Sequence, residues 1–97
     1  MPTYLVGNVS VEDVEGFAEY AKRVPETIER YGGTHRVRGG RIEVLEGSCA
    51  PKRLVVLEFD SFEQAKSWYE SDEYQAVAAI RQRCASTDLV LVEGLPA

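Results

Sequence analysis

The stretch that decides the fold is RLVVLEF at residues 53–59, the most apolar strand of the sequence. Side chains alternate between the two faces of a strand, and here both faces are largely apolar. One face carries Val55, Leu57 and Phe59, and the other carries Leu54, Val56 and Glu58. A strand with two apolar faces is typical of a sheet that is covered on both sides. The sheet therefore needs two covering layers.

A long amphipathic helix precedes this strand. Apolar residues recur there at spacings of three and four: Val14, Phe17, Ala21, Val24, Ile28 and Tyr31. This spacing places them on one helical stripe. Ser10 with Asp13 has the pattern of a helix cap, and Gly32 predicts a left-handed helix end. Pro25 predicts a kink or a break, because proline has no amide hydrogen to donate to the helix.

A second helical region follows the strand. Ser61 and Gln64 form another capping signature, which predicts a helix with Trp68 on its inward side. Ser71 predicts a new start, so that a second helical piece runs from residue 72 to about residue 85.

The remaining strands are predicted at residues 4–9, 34–46 and 89–93. Gly39 and Gly40 interrupt the second of these and allow two interpretations. A glycine bulge would leave one long, bent strand, whereas a tight turn would make a hairpin. We favour the bulge, since a hairpin would add a strand between the two helical regions.

The resulting order is β-α-β-β-α-β in a single domain over residues 1–97. This is an α+β, ferredoxin-like fold, with a four-stranded antiparallel sheet and the helices on one face. The helices cover only one of the two apolar faces. The simplest cover for the other is a second copy of the chain, packed sheet to sheet about a two-fold axis. The sequence therefore predicts a homodimer.

The order of several short motifs resembles the DUF1330 family of the dimeric α/β-barrel superfamily. The motifs are Tyr31-Gly32-Gly33, Arg38-Gly39-Gly40, Leu45-Glu46-Gly47, Glu58-Phe59, and Trp68-Tyr69 with Ser71 and Glu73-Tyr74. The sequence departs from the pattern at Asp60, where proline is expected, and at His35, where an aromatic residue is more usual. The resemblance implies a barrel of two sheets with pockets inside it or under the helices. The wider group includes cofactor-free monooxygenases, muconolactone-type isomerases and haem enzymes, and inheriting their activities would be analogy from the fold.

Composition excludes several classes of function. The net charge of −5 and the scattered basic residues argue against nucleic-acid binding. The sequence has no stretch of the length of a membrane span. Two cysteines without a spaced motif fit a reducing compartment, and we predict a cytoplasmic protein. One histidine and two distant cysteines do not make a metal site, and we predict no cofactor.

Two residues are candidates for proton transfer. His35 is the only histidine, and its ordinary pKa suits catalysis near neutrality. We expect it to be half-buried on the same strand face as Val37, where a structural role is the commoner one. Glu58 stands in an apolar strand, where burial would raise its pKa. It could act as a general base or pair with an arginine such as Arg38 or Arg53, and we favour the ion pair.

Candidate ligand-binding residues are Arg38, Trp68, Tyr69, Tyr74 and Tyr20. The aromatic residues could form the wall of a pocket, although packing is their commoner role. Arg38 could hold a carboxylate or discourage aggregation at a sheet edge. The leading hypothesis is a homodimer that binds or transforms a small apolar or aromatic acid. The alternatives are a structural or interaction module, and a cofactor-independent monooxygenase or isomerase.

Overall fold

A computed structural model describes residues 1–96. Its elements are β1 (Thr3–Val11), α1 (Val14–Arg30), β2 (Thr34–Arg38), β3 (Leu54–Phe59), α2 (Phe62–Glu70), α3 (Asp72–Cys84) and β4 (Ala85–Glu93). The four strands form one antiparallel sheet in the order β2-β3-β1-β4. This order of elements confirms the predicted α+β, ferredoxin-like fold. The break in the second helical region lies at Ser71, as predicted, where the side chain caps α3.

The strand register separates two faces of the sheet. Leu5 lies opposite Leu57 and Leu91 on the face that packs against the helices. Its neighbour Val6 lies opposite Val56 and Val90 on the other face, and Val90 is 59% exposed. Within one chain, the second apolar face is therefore uncovered.

The core between sheet and helices is built around aromatic rings. Phe59, Trp68 and Tyr74 are all buried, and the Trp68 ring centroid lies 4.0 Å from that of Tyr74. The indole Nε1 of Trp68 donates a hydrogen bond of 3.0 Å to Thr27 Oγ1, which donates in turn to the Val24 carbonyl. This chain of bonds ties α2 to α1 while leaving no unpaired indole group.

The cap of α1 differs from the prediction. Asp13, and not Ser10, is the N-cap, and its carboxylate accepts a hydrogen bond from the Gly16 amide at 3.2 Å. Ser10 lies within β1, opposite Ser86 of β4. The prediction was wrong because pairing with β4 extends the strand past the first capping residue.

Pro25 does not break α1, which runs as one helix from Val14 to Arg30. Proline leaves the carbonyl of Ala21 without its helical donor. Arg38 of β2 fills that position, because its Nη2 donates to the Ala21 oxygen at 3.2 Å. Of the predicted kink or break, the break is therefore wrong, and a side chain from the sheet compensates for the lost helical bond.

β2 contains a bulge, but not at Gly39 and Gly40 as predicted. His35 pairs with Leu57 and Val37 pairs with Val56, so Arg36 is the extra residue. His35 and Val37 therefore face opposite sides of the sheet, contrary to the predicted shared face. The second strand also ends at Arg38.

The chain beyond Arg38 is irregular, so the strand predicted to continue over residues 41–46 does not form. Gly39 has a φ of +69°, and its amide donates to the carbonyl of Leu54 at 2.9 Å. That positive φ turns the chain away from the sheet, which glycine permits without steric cost. The glycine pair thus ends β2 rather than bending it.

Candidate functional site

A small cavity lies between the helices and the inner face of the sheet. Its volume is about 50 Å³. Its apolar wall comes from both layers and includes Leu5, Val24, Ile28, Val55, Leu57 and Leu89. Val24 and Ile28 of α1 belong to the same buried cluster as Leu5 and Leu57 of the sheet, so the cavity lies within the hydrophobic core.

The polar groups that line this cavity are unusual for an acidic protein. They are His35, Arg38, Arg53, Arg81, Tyr20 and Tyr74. Among residues 1–96, no aspartate or glutamate lines the cavity, although the net charge of the chain is −5. The cavity is therefore a positive region inside a negative protein, and such a region attracts anions.

Two phenols and a guanidinium meet at the helical side. The hydroxyl oxygens of Tyr20 and Tyr74 share a hydrogen bond of 3.1 Å. The Arg81 guanidinium carbon lies 5.9 Å from the centre of the Tyr20 ring. Burial, followed by the neighbouring Tyr74, raises the pKa of Tyr20. Both effects favour the protonated phenol, which can donate a hydrogen bond to a ligand.

His35, Arg38 and Arg53 lie at the β2 and β3 side of the cavity. Burial, and then the charge of Arg38, lower the pKa of His35, so its imidazole is neutral at pH 7. The Arg53 guanidinium carbon lies 5.4 Å from the centre of the Phe17 ring. Arg53 Nε is buried and has no hydrogen-bond partner in the described part of the chain. The Arg53 Nε–H group therefore remains available to donate a hydrogen bond to a ligand.

Five of the residues predicted for the site line this cavity: His35, Arg38, Trp68, Tyr74 and Tyr20. Tyr69 does not, and lines two recesses beside β4 instead. Glu58 lies on the opposite, uncovered face of the sheet, where its carboxylate accepts a hydrogen bond from Arg36 Nε at 2.9 Å. The favoured ion pair thus forms, but with Arg36 rather than with Arg38 or Arg53.

Sequence reasoning missed Arg53 and Arg81 as site residues. Arg81 carried a local signal, because it follows Tyr74, Val77 and Ala78 at the spacing of one helical stripe, and all four are buried. An arginine on an apolar stripe indicates a charge in the interior. Arg53 carried no comparable signal, since it precedes β3 in an irregular segment.

The site offers no evident metal centre. No group of three histidine, cysteine, aspartate or glutamate side chains within residues 1–96 is placed to hold a metal ion. The chemistry that the cavity offers is anion recognition by guanidinium and phenol donors, with one neutral imidazole.

Within residues 1–96, no helix is both long and apolar enough to cross a membrane.

Comparison with known proteins identifies the family. Residues 2–95 match the family described as a domain of unknown function, DUF1330, and the chain belongs to that family, as its motifs predicted. No curated protein matches this chain.

Solved structures share its fold at low sequence identity. A protein of unknown function from Rhodopseudomonas palustris is 18% identical, with a TM-score of 0.79 over 99% of this chain and 84% of that one. A dimeric ferredoxin-like protein of unknown function from Jannaschia sp. CCS1 is 10% identical, with a TM-score of 0.75 over 97% of this chain and 100% of that one. SnoaB, a cofactor-independent oxygenase from Streptomyces nogalater, is 11% identical, with a TM-score of 0.58 over 99% and 95% of the two chains. Identities this low support a shared fold and no shared activity.

Proposed function

We propose that this DUF1330 protein is a homodimer that binds a small apolar carboxylic acid in the cavity between α1 and the sheet. One observation carries the proposal: three arginines line the cavity, and no carboxylate from residues 1–96 does. Arg81 is buried and Arg53 is half-buried, whereas Arg38 is exposed. Cations withdrawn from water normally have an anionic partner, because removing them from water is costly. The carboxylate of a ligand would supply that partner.

The wall of the cavity defines how such an acid binds. Its carboxylate lies towards Arg38 and Arg53, and its apolar part contacts side chains such as Leu5 and Leu57. Arg38 already donates through Nη2 to the Ala21 carbonyl, but a guanidinium carries five N–H donors and has others to offer. The Tyr20–Tyr74 pair contributes a phenol donor from the helical side.

The volume of the cavity limits the size of the acid that can bind. A cavity of about 150 Å³ accommodates benzene, and the present one is about 50 Å³. The apolar part of a short branched acid, such as the four-carbon isobutyl group of isovalerate, is smaller than a benzene ring and is the better fit. Even an acid of this size requires Arg53 and Phe17 to move outward, and both side chains are only partly buried.

The uncovered sheet face supports the homodimer. Apolar residues dominate it: Tyr4, Val6, Leu54, Val56, Val90 and Val92. Large apolar surfaces of this kind typically mark an interface. The Jannaschia protein, which has the same fold, is described as dimeric. In such a dimer the Glu58–Arg36 pair lies at the interface and away from the acid cavity.

Binding is favoured over catalysis because few groups in the cavity can move a proton. Glu58 lies on the other face of the sheet, paired with Arg36. The pKa of Tyr20 is raised by burial, so its phenol is a poor base. In a proton-transfer reaction, His35 is the lining residue suited to act as the base, since its lowered pKa keeps it neutral.

The test is a titration of the labelled protein with isovalerate and, separately, with isovaleramide, followed by amide NMR shifts. The two probes have nearly the same shape and differ in charge. We expect isovalerate to shift residues of α1 and β2, and isovaleramide to do so at least about tenfold more weakly, since hydrogen bonds to charged groups contribute about 1.5–3 kcal/mol. Arg53→Met should weaken isovalerate binding by a similar factor. The exposed Arg83 of α3 provides the matched control, and Arg83→Met should bind as the wild type does. Equal binding of the two probes, or of the two variants, would contradict the proposal.

A further inference from the structure

A second polar recess shares Arg81 and Leu89 with the acid cavity. It is formed where the last turn of α3 meets β4, and its volume is about 380 Å³. Tyr69, Arg81, Gln82, Ala85, Thr87 and Leu89 line it. We call this space the Arg81 recess. Arg81 lines both the recess and the acid cavity.

Two buried polar atoms of this recess have no hydrogen-bond partner. Arg81 Nε and Thr87 Oγ1 are both inaccessible to solvent, and neither bonds to any group within residues 1–96. The residue Arg81 as a whole is only 5% exposed. Buried polar groups are nearly always satisfied in folded proteins. The residues that carry these two atoms both line the Arg81 recess, so the recess is where a missing polar partner would bind.

The charge of the recess identifies that partner as an anion. Burial acts to lower the pKa of Arg81, but Tyr74 and Tyr20 outweigh it and the net shift is upward, so the side chain stays charged. Neither of the two ion pairs found in residues 1–96 includes Arg81. The carbonyls at the end of α3 offset only about half a unit charge. No acidic residue from the described range lines the recess.

We propose that the Arg81 recess is a binding site for a small oxyanion, namely a carboxylate or an inorganic oxyanion. Arg81 would donate from Nε and a terminal nitrogen to two oxygens of the anion, in the side-by-side geometry that guanidinium groups prefer. The Thr87 hydroxyl would donate to one of them. Tyr69 and Gln82 lie at the same recess and supply further donors. This site goes beyond the acid-binding function proposed above and does not depend on Arg38 or Arg53.

The experiment follows the Nε–H resonance of Arg81 by NMR while inorganic phosphate, and separately acetate, is added at constant ionic strength. We expect a saturable shift with at least one of the two probes by about 20 mM, which corresponds to weak but specific binding. A response to phosphate alone identifies an inorganic oxyanion, and a response to acetate identifies a carboxylate. No saturable shift with either probe would overturn the proposal.

Thr87→Val tests the geometry without removing the charge. The substitution is close to isosteric and removes a buried unsatisfied hydroxyl, so the variant is expected to fold. It should weaken the phosphate or acetate response about tenfold, as expected for one hydrogen bond to a charged group. Thr34→Val, at an exposed position of β2, is the matched control and should respond as the wild type does. An unchanged response in Thr87→Val would overturn the assignment.

The two proposals fail separately. Arg53→Met should weaken the isovalerate response of the acid cavity about tenfold and leave the response of the Arg81 recess to phosphate or acetate unchanged. Thr87→Val should weaken the phosphate or acetate response about tenfold and leave the isovalerate response unchanged. If each variant weakens both responses, the recess is not a separate site, and the inference is wrong even where the acid cavity is right.

Discussion

Replacing Val90 with aspartate tests directly whether the uncovered sheet face is a dimer interface. Full burial of a valine side chain contributes about 1.5–3 kcal/mol, and 59% of Val90 is exposed in the single chain. Covering that fraction therefore contributes about 1–2 kcal/mol for each chain. A two-fold dimer contains the contact twice, so the loss is about 2–4 kcal/mol. At 1.4 kcal/mol for each factor of ten, the dissociation constant should rise by roughly 30-fold to several-hundred-fold.

Sedimentation equilibrium over a range of protein concentrations measures this change. Val14→Asp is the matched control, because Val14 is 75% exposed but lies at the start of α1, away from the sheet face. We expect Val14→Asp to associate as the wild type does. The reasoning is refuted if Val90→Asp and Val14→Asp sediment alike, or if the wild type is a monomer at about 50 μM, well above the dissociation constants of stable dimers.

Three further substitutions test the interior and the acid cavity. Thr27→Val removes the acceptor of the Trp68 indole and should lower the free energy of unfolding in urea by about 1–3 kcal/mol, because a buried donor is left unpaired. Gly33→Ala places a methyl group 2.6 Å from the Phe59 ring and should cost about 1–3 kcal/mol in the same assay, since the site is overpacked. His35 has a pKa lowered below 6.5, so the unfolded chain binds more protons in the window just below that value. The free energy of unfolding therefore rises with pH up to about 6.5, and His35→Gln should flatten that rise.

Controls for these substitutions come from exposed positions of the same chain. Ser67→Ala, at an exposed position of α2, should leave stability within about 0.5 kcal/mol of the wild type, as is usual at the surface. A Cβ added at Gly40 meets no atom within 4 Å, so Gly40→Ala should be neutral or stabilising by about 0.4–1 kcal/mol. Equal losses at Gly33 and Gly40 would show that crowding is not the cause. If His35→Gln leaves the pH dependence of the unfolding free energy unchanged, the His35 imidazole is not its cause.

Local signals predicted most of the fold. The capping serines Ser61 and Ser71 act within three residues of their partners, so they can be identified from sequence alone. The two apolar faces of β3 likewise follow from its alternation. These features fixed the number and order of helices and strands.

The features that sequence did not reveal depend on distant partners. Nothing in the residues around Arg36 marks a bulge, since it arises from the pairing of β2 with β3. The same shift turned His35 to the helical face and Arg36 towards Glu58. The burial of Arg81 depends on how α1 packs on α3 and on the position of Tyr20. Non-local packing of this kind cannot be obtained from periodicity.

The bond from Arg38 to the Ala21 carbonyl makes α1 and β2 thermodynamically coupled. Pro25 creates the need for that bond, so residues 25 and 38 form one energetic unit although they belong to different layers. With alanine at position 25 the helix would satisfy its own carbonyl, and losing the arginine would then cost little. A double-mutant cycle on these two positions should therefore be non-additive by about 0.5–1.5 kcal/mol, the net contribution of one hydrogen bond. An anion that pulls Arg38 away from the Ala21 carbonyl would also weaken the middle of α1. Anion binding in the cavity should then speed the exchange of backbone amide hydrogens in α1.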